Sequence, residues 1–213
     1  MRWIRTCVAI GAVTACSFQL SGSTPDTTVT TPRYKVQFGF QLEKSVKSGD
    51  DKTPDDYNYK PVLLQFEIQK PLSSSRNSTW YLDYFVQPQF NIVRFQDRLL
   101  TSNDRSHTHS WETGVNLGLV FYKSLYTVAS QNKAAVYVMA GTGPHFVSST
   151  PQRQSEGFIF SDNIRFGLRI PVSQNTSLDL RGGLRHISNF HLKLPNSGID
   201  NTFLGIGIRY FKR

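Results

Sequence analysis

His186 and Ser188 stand two residues apart in the segment Leu184-Arg185-His186-Ile187-Ser188-Asn189. On a β-strand that spacing puts an imidazole and a hydroxyl on one face. Asp200 follows after a short polar stretch, at the head of a second alternating segment. Together the three types suit acyl transfer. A serine hydroxyl becomes a good nucleophile only when a base takes its proton, and the imidazole base works best when a carboxylate fixes its tautomer and orientation. Asn189 and Asn196 flank the pair and offer amide hydrogens to the oxygen that gains charge when a carbonyl is attacked. Histidine and serine at this spacing are common in ordinary proteins, so the weight rests on where the segments place them.

The placement follows from one parity that runs along the chain. Successive strand side chains point to opposite faces, so a half-lipid, half-lumen strand alternates apolar and polar. Tyr34, Val36, Phe38, Phe40 and Leu42 oppose Lys35, Gln37, Gly39, Gln41 and Glu43. Val62, Leu64, Phe66 and Ile68 oppose Gln65, Glu67 and Gln69, and Leu82, Tyr84, Val86 and Phe90 oppose Asp83, Gln87, Gln89 and Asn91. The fourth segment sets Trp111, Val115, Leu117, Leu119 and Phe121 against Glu112, Gly114, Asn116 and Gly118. The fifth, around 134–146, is ambiguous because Tyr137 and Met139 interrupt the pattern. Phe158, Phe160, Ile164, Phe166 and Leu168 then oppose Asn163, Arg165, Gly167 and Arg169. Leu178, Leu180 and Leu184 oppose Asp179, Arg181 and Arg185, and Leu204, Ile206 and Ile208 oppose Gly205, Gly207 and Arg209. A soluble sandwich alternates too. Charged and amide side chains deep inside the strands favour a narrow hydrated lumen, and the fold expected is all-β, an eight-stranded antiparallel up-and-down transmembrane β-barrel.

The remaining composition agrees. A chain of 213 residues is long enough for one sizeable domain. Its mean hydropathy of −0.34 excludes a bundle of membrane helices, each of which needs roughly 20 apolar residues. Arg2 and Arg5 precede an apolar run too short to span, so residues 1–23 read as an export signal, 24–33 as an exposed leader and 34–213 as the barrel. Cys7 and Cys16 both fall in the signal, so no disulfide framework is expected. Val13-Thr14-Ala15-Cys16 has the form of a lipobox, and cleavage after Ser21-Gly22-Ser23 is the equal alternative. The formal net charge of +9 suits anionic lipid headgroups. It carries no nucleic-acid motif.

With both termini inside, the outer loops fall near 44–59, 94–109, 147–157 and 189–199, and the inner turns near 71–78, 123–133 and 173–175. His186, Ser188 and Asp200 then share the lipid-facing parity at the outer rim. Other candidates are weaker. His107 and His109 have chelating spacing without a third ligand, so no metal or other cofactor is expected. His145 and His191 have no evident partners. Asp50, Asp51, Asp55 and Asp56 read as a solvated loop, and Arg94, Arg98, Arg105, Arg153 and Lys193 as rim cations able to meet lipid phosphates.

The run Arg185-His186-Ile187-Ser188-Asn189, with Pro195-Asn196-Ser197-Gly198-Ile199-Asp200 after it, resembles the PagL-type lipid A 3-O-deacylases. The resemblance implies an eight-stranded outer-membrane barrel that hydrolyses an ester-linked 3-hydroxyacyl chain of lipopolysaccharide. It implies His186 as base, Ser188 as nucleophile, Asp200 where the family typically has Glu, and Asn189 and Asn196 at the oxyanion. Aspartate shortens the orienting arm by one methylene. The chain also ends Phe211-Lys212-Arg213, whereas such barrels often end at an aromatic. The outer-membrane phospholipase A family shares H-x-S-N, with twelve strands and bound calcium. A phospholipase activity, or a non-enzymatic structural or adhesive barrel, is therefore the alternative. Lipid A in the outer leaflet is the partner implied, and self-association of the barrel is left open.

Overall fold

The computed structural model describes residues 35–48, 57–72, 79–97, 108–125 and 134–212. Eight strands run in chain order: β1 (Val36–Ser48), β2 (Tyr57–Pro71), β3 (Trp80–Asp97), β4 (Thr108–Ser124), β5 (Ala135–Val147), β6 (Gly157–Pro171), β7 (Thr176–Ser188) and β8 (Ile199–Lys212). Each pairs antiparallel with the next, and β8 returns to β1 to close the barrel. Closure leaves no strand edge unpaired, which a lipid environment demands. The export signal, the leader, the acidic loop, His107, Arg98 and Arg105 lie outside the described residues.

The outward parity is the one read from the sequence. Phe40, Leu42, Phe66, Phe90, Leu117, Leu119, Phe121, Phe166, Leu184, Leu204 and Ile208 are exposed on the barrel wall. An apolar surface of that extent needs an apolar environment. At one end Trp80 stacks on Phe121 with centroids 5.1 Å apart and takes Lys123 Nζ over its face at 4.9 Å, a pairing suited to a membrane interface.

The lumen is filled by charged and apolar side chains. Five buried carboxylates (Glu43, Glu67, Asp83, Glu112, Asp179) and five buried guanidiniums (Arg165, Arg169, Arg181, Arg185, Arg209) lie there among the described residues, so the buried charge balances. Arg181 donates to Glu43 at 2.5 Å and to Glu67 at 2.9 Å. Arg209 donates to Glu67 at 2.6 Å and to Asp179, and Arg165 donates to Glu43 at 2.9 Å.

The two ends of the lumen differ from the hydrated, polar interior expected. Tyr59, Val93, Phe95, Val147, Ile159, Ile187 and Ile199 form an apolar plug at one end. Phe85, Val120, Tyr122, Ala135, Tyr137 and Met139 form another at the opposite end. This second plug explains the ambiguous fifth strand. Tyr137 and Met139 face inward while Val136 and Val138 face out, and both faces of β5 are apolar. Gly167 makes room for the Tyr137 ring, since a Cβ there would lie 2.2 Å from its Cζ.

Glu67 touches two guanidiniums, so removing it strands buried positive charge. Glu67→Leu is expected to destabilise the barrel by about 3–5 kcal/mol. The denaturant midpoint of the detergent-folded protein measures this, and an unchanged midpoint would contradict the central role given to the network.

Candidate active site

The end of the barrel that carries the Ile187–Ile199 plug also carries the predicted site. β7 and β8 pair with His186 opposite Asp200 and Ile187 opposite Ile199. The isoleucines point into the lumen and are fully buried, so their neighbours in sequence point out. His186 Nδ1 and Asp200 Oδ1 are 2.7 Å apart. The two side chains are 43% and 60% exposed, which places them on the lipid-facing wall and not in the lumen. A carboxylate on Nδ1 leaves Nε2 as the acceptor, the tautomer a general base requires.

Beneath this pair the lumen holds β7 in place. Arg185 lies between His186 and Leu184 in sequence but points inward, where it donates to Ser161 at 2.8 Å and to Glu112. Glu112 also meets His145 Nδ1 at 2.7 Å, and His145 Nε2 meets Asn116 at 3.1 Å. His145 is therefore a buried, partnered lumen residue, which corrects the sequence reading that it has no partners. Its partners sit on β4 and, with Gln89, on β3, beyond the reach of local spacing.

Ser188 ends β7 on the same face as His186, half-buried and opposite Phe160 on β6. Among the described residues its hydroxyl makes no hydrogen bond, to His186 or to any other group. Such contacts commonly tighten only when substrate is bound. Its surroundings are aromatic. Phe160 meets Phe158 edge-on at 5.1 Å and Phe190 at 4.7 Å, and Phe190, Leu192 and Leu194 are well exposed on the adjoining loop.

That loop, residues 189–198, is built around Asn189. The Asn189 side chain is buried, donates to Ser155 Oγ and to the Lys193 carbonyl at 2.6 Å, and accepts from His191 N–H at 3.0 Å. The last bond steadies Phe190 and His191, whose φ values of 51° and 64° are left-handed. Both acceptors of the Asn189 amide are thus protein groups, Ser155 on the neighbouring segment and Lys193 within the loop. Asn196 differs. Its Oδ1 accepts the Asn189 N–H at 3.0 Å, which fixes the amide plane and leaves its NH2 without a partner among the described residues. The loop is clasped to residues 148–156 by Ser155 N to Pro195 O at 2.7 Å and Ser197 N to Arg153 O at 2.9 Å.

Gly198 closes the back of the site with φ of 71°. A Cβ there would lie 2.5 Å from His186 Cε1 and 3.2 Å from Nε2. The imidazole thus rests on a residue that has no room for a side chain.

No group of three or more metal-ligating side chains occurs among the described residues. His109 is exposed on β4, opposite Arg94. The side chains gathered by the structure are therefore His186, Asp200, Ser188 and Asn196. Sequence reading missed Asp162, which lies opposite His186 on β6. A break in the outward apolar run of β6 was the available signal.

A family model described as Lipid A 3-O-deacylase (PagL) matches residues 73–209. The chain belongs to the PagL family. The match takes in β3 to β8 and so every residue of the site. The chain is accordingly an outer-membrane β-barrel protein. No curated protein matches it. Among solved structures, the outer-membrane enzyme PagL is 18% identical over 79% of this chain and 97% of its own, with a TM-score of 0.48. The outer-membrane protein OprG from Pseudomonas aeruginosa is 10% identical over 83% of this chain and 94% of its own, with a TM-score of 0.46. Neisserial surface protein A is 14% identical over 82% and 94%, with a TM-score of 0.41.

Gly198→Ala is expected to push the His186 ring off Asp200 while the barrel still folds. Any ester hydrolysis should fall by about a hundred-fold, the scale of a 1 Å misplacement. A crystal structure of the variant with an unmoved ring would contradict the packing role of Gly198.

Proposed function

We propose that this PagL-family chain hydrolyses the ester-linked 3-hydroxyacyl chain of lipid A in the outer leaflet by a Ser-His-Asp mechanism. The observation that carries the reading is the His186–Asp200 hydrogen bond of 2.7 Å on the lipid-facing wall. A charged pair in that position is costly in a barrel wall unless it has work to do. Ser188 Oγ attacks the ester carbonyl as His186 Nε2 takes its proton, and Asp200 steadies the imidazolium that forms. The Asn196 NH2, with Asn189 holding its plane, donates to the oxyanion of the tetrahedral intermediate. Collapse expels the lipid alkoxide, which takes the proton back from His186. Water then releases the acyl group through the same base. The aromatic shelf of Phe158, Phe160 and Phe190 gives the acyl chain an apolar bed beside Ser188, so substrate reacts without leaving the membrane.

The test is mass spectrometry of lipid A from cells that make the parent chain or Ser188→Ala. The parent is expected to remove the mass of one hydroxyacyl group, and Ser188→Ala to remove none while migrating as a folded, heat-modifiable barrel. Deacylation by Ser188→Ala would overturn the nucleophile. Unchanged lipid A with a folded parent, but cleaved phospholipid, would replace the substrate with a glycerophospholipid.

A further inference from the structure

Away from the site the outward wall is not smooth. A trough with a volume of about 670 Å³ crosses it between two rows of side chains that pair in register. One row is Phe121, Val138, Phe166, Gly182 and Leu204, on β4 to β8. The other lies nearer the rim that holds both chain termini, and is Lys123, Val136, Leu168 and Leu180, on β4 to β7. Lys123 is the one charged side chain in the two rows. The trough opens at Trp80, the first residue of β3, whose ring stacks on Phe121 and lies under Lys123 Nζ. It closes where Leu204 leans over Gly182, the middle residue of β7, since a Cβ there would lie 2.8 Å from Leu204 Cδ2. The trough thus climbs from one rim to the middle of the wall. Four strand-to-strand steps of about 4.8 Å give it a length of about 19 Å.

We propose that this trough binds one glycerophospholipid, with its phosphate on Lys123 and one acyl chain laid along the trough as far as Gly182. The rim at Trp80 is the one opposite His186 and Asp200. With the site in the outer leaflet, as proposed above, the trough therefore lies in the phospholipid leaflet beneath it. A lipid chain fills half of a hydrocarbon core about 30 Å thick, roughly 15 Å, and so is of the trough's length. Lys123 supplies the complementary charge. Among the described residues no carboxylate pairs with it. The Trp80 ring holds its ammonium at the interface, the level at which phosphates lie. Lipid coats every barrel wall, and what sets this stretch apart is depth joined to a fixed cation. A smaller recess on β1 to β4, of about 420 Å³, has no cation in its lining.

The experiment is native mass spectrometry of the detergent-folded barrel with added phosphatidylglycerol. It compares the parent, Lys123→Gln, Val138→Trp and Ile92→Trp, all carrying Ser188→Ala. No turnover then consumes the probe, and the result stands whatever the site hydrolyses. Val138 is exposed on the wall, so a larger apolar side chain there fills the trough and leaves the lumen alone. Ile92, exposed on β3 towards the other rim, is the control. The parent is expected to keep one phosphatidylglycerol under activation that strips the detergent. Lys123→Gln should weaken binding about ten-fold, the scale of one charge-assisted contact. Val138→Trp should abolish it, and Ile92→Trp should match the parent. Diacylglycerol, which lacks the phosphate, should bind the parent as weakly as phosphatidylglycerol binds Lys123→Gln. A parent that keeps no lipid would overturn the proposal. So would equal retention by all four barrels, or a loss in Ile92→Trp as large as in Val138→Trp, either of which would make the lipid a general coat. Retention of lipopolysaccharide in place of phosphatidylglycerol, with both offered, would overturn the occupant.

Discussion

The balanced charge inside the barrel is the constraint on which the rest of the structure depends. Among the described residues five guanidiniums and five carboxylates are buried in the lumen, and each is tolerable only while its partners stay in reach. Those partners sit on different strands: Glu43 on β1, Glu67 on β2, Glu112 on β4, Arg165 on β6, Arg181 and Arg185 on β7, and Arg209 on β8. A strand that slipped by one residue would turn its charges to lipid and its apolar side chains inward. The network thus fixes register, and register fixes what appears on the outer wall. His186 faces Asp200 because Arg185 faces Glu112.

The wall works under the opposite rule. Lipid tolerates apolar side chains without partners, and a polar one there needs a reason. The polar groups of the site satisfy this by holding one another across strands or by resting on the loop clasp. Asn189 shows how much of the rim is framework. Buried and fully bonded, it shapes the loop that presents Asn196 and Gly198 to the imidazole. The two loops joined through Ser155 and Pro195 behave as one unit, so a change in residues 148–156 reaches the site without touching it.

The wall was readable from the sequence because its rule is local. Alternation assigned Phe40, Phe66, Leu117, Phe166 and Ile206 to lipid, and the same count placed His186 and Asp200 on one surface. The lumen was less readable because its partners are distant in the chain. Tyr137 and Met139 looked like errors of pattern until Phe85, Tyr122 and Met139 were seen to close one end. His145 looked solitary because Glu112 and Asn116 lie on β4. Asn189 was legible as an amide beside Ser188, but its partners Ser155, Lys193 and His191 follow from loop geometry that spacing does not give. Asp162 broke a local rule and could have been found.

The pairing of His186 with Asp200 also has a consequence for biogenesis. The two residues lie on the last hairpin of the chain, and an isolated hairpin is marginal in water. Its alignment is enforced only when β8 closes against β1 and the charges of Arg181, Arg185 and Arg209 find Glu43, Glu67 and Glu112 on the first four strands. A chain whose barrel has not closed therefore lacks the register that sets His186 opposite Asp200. The surface that faces the lipid is thus assembled last, by the same closure that seals the lumen.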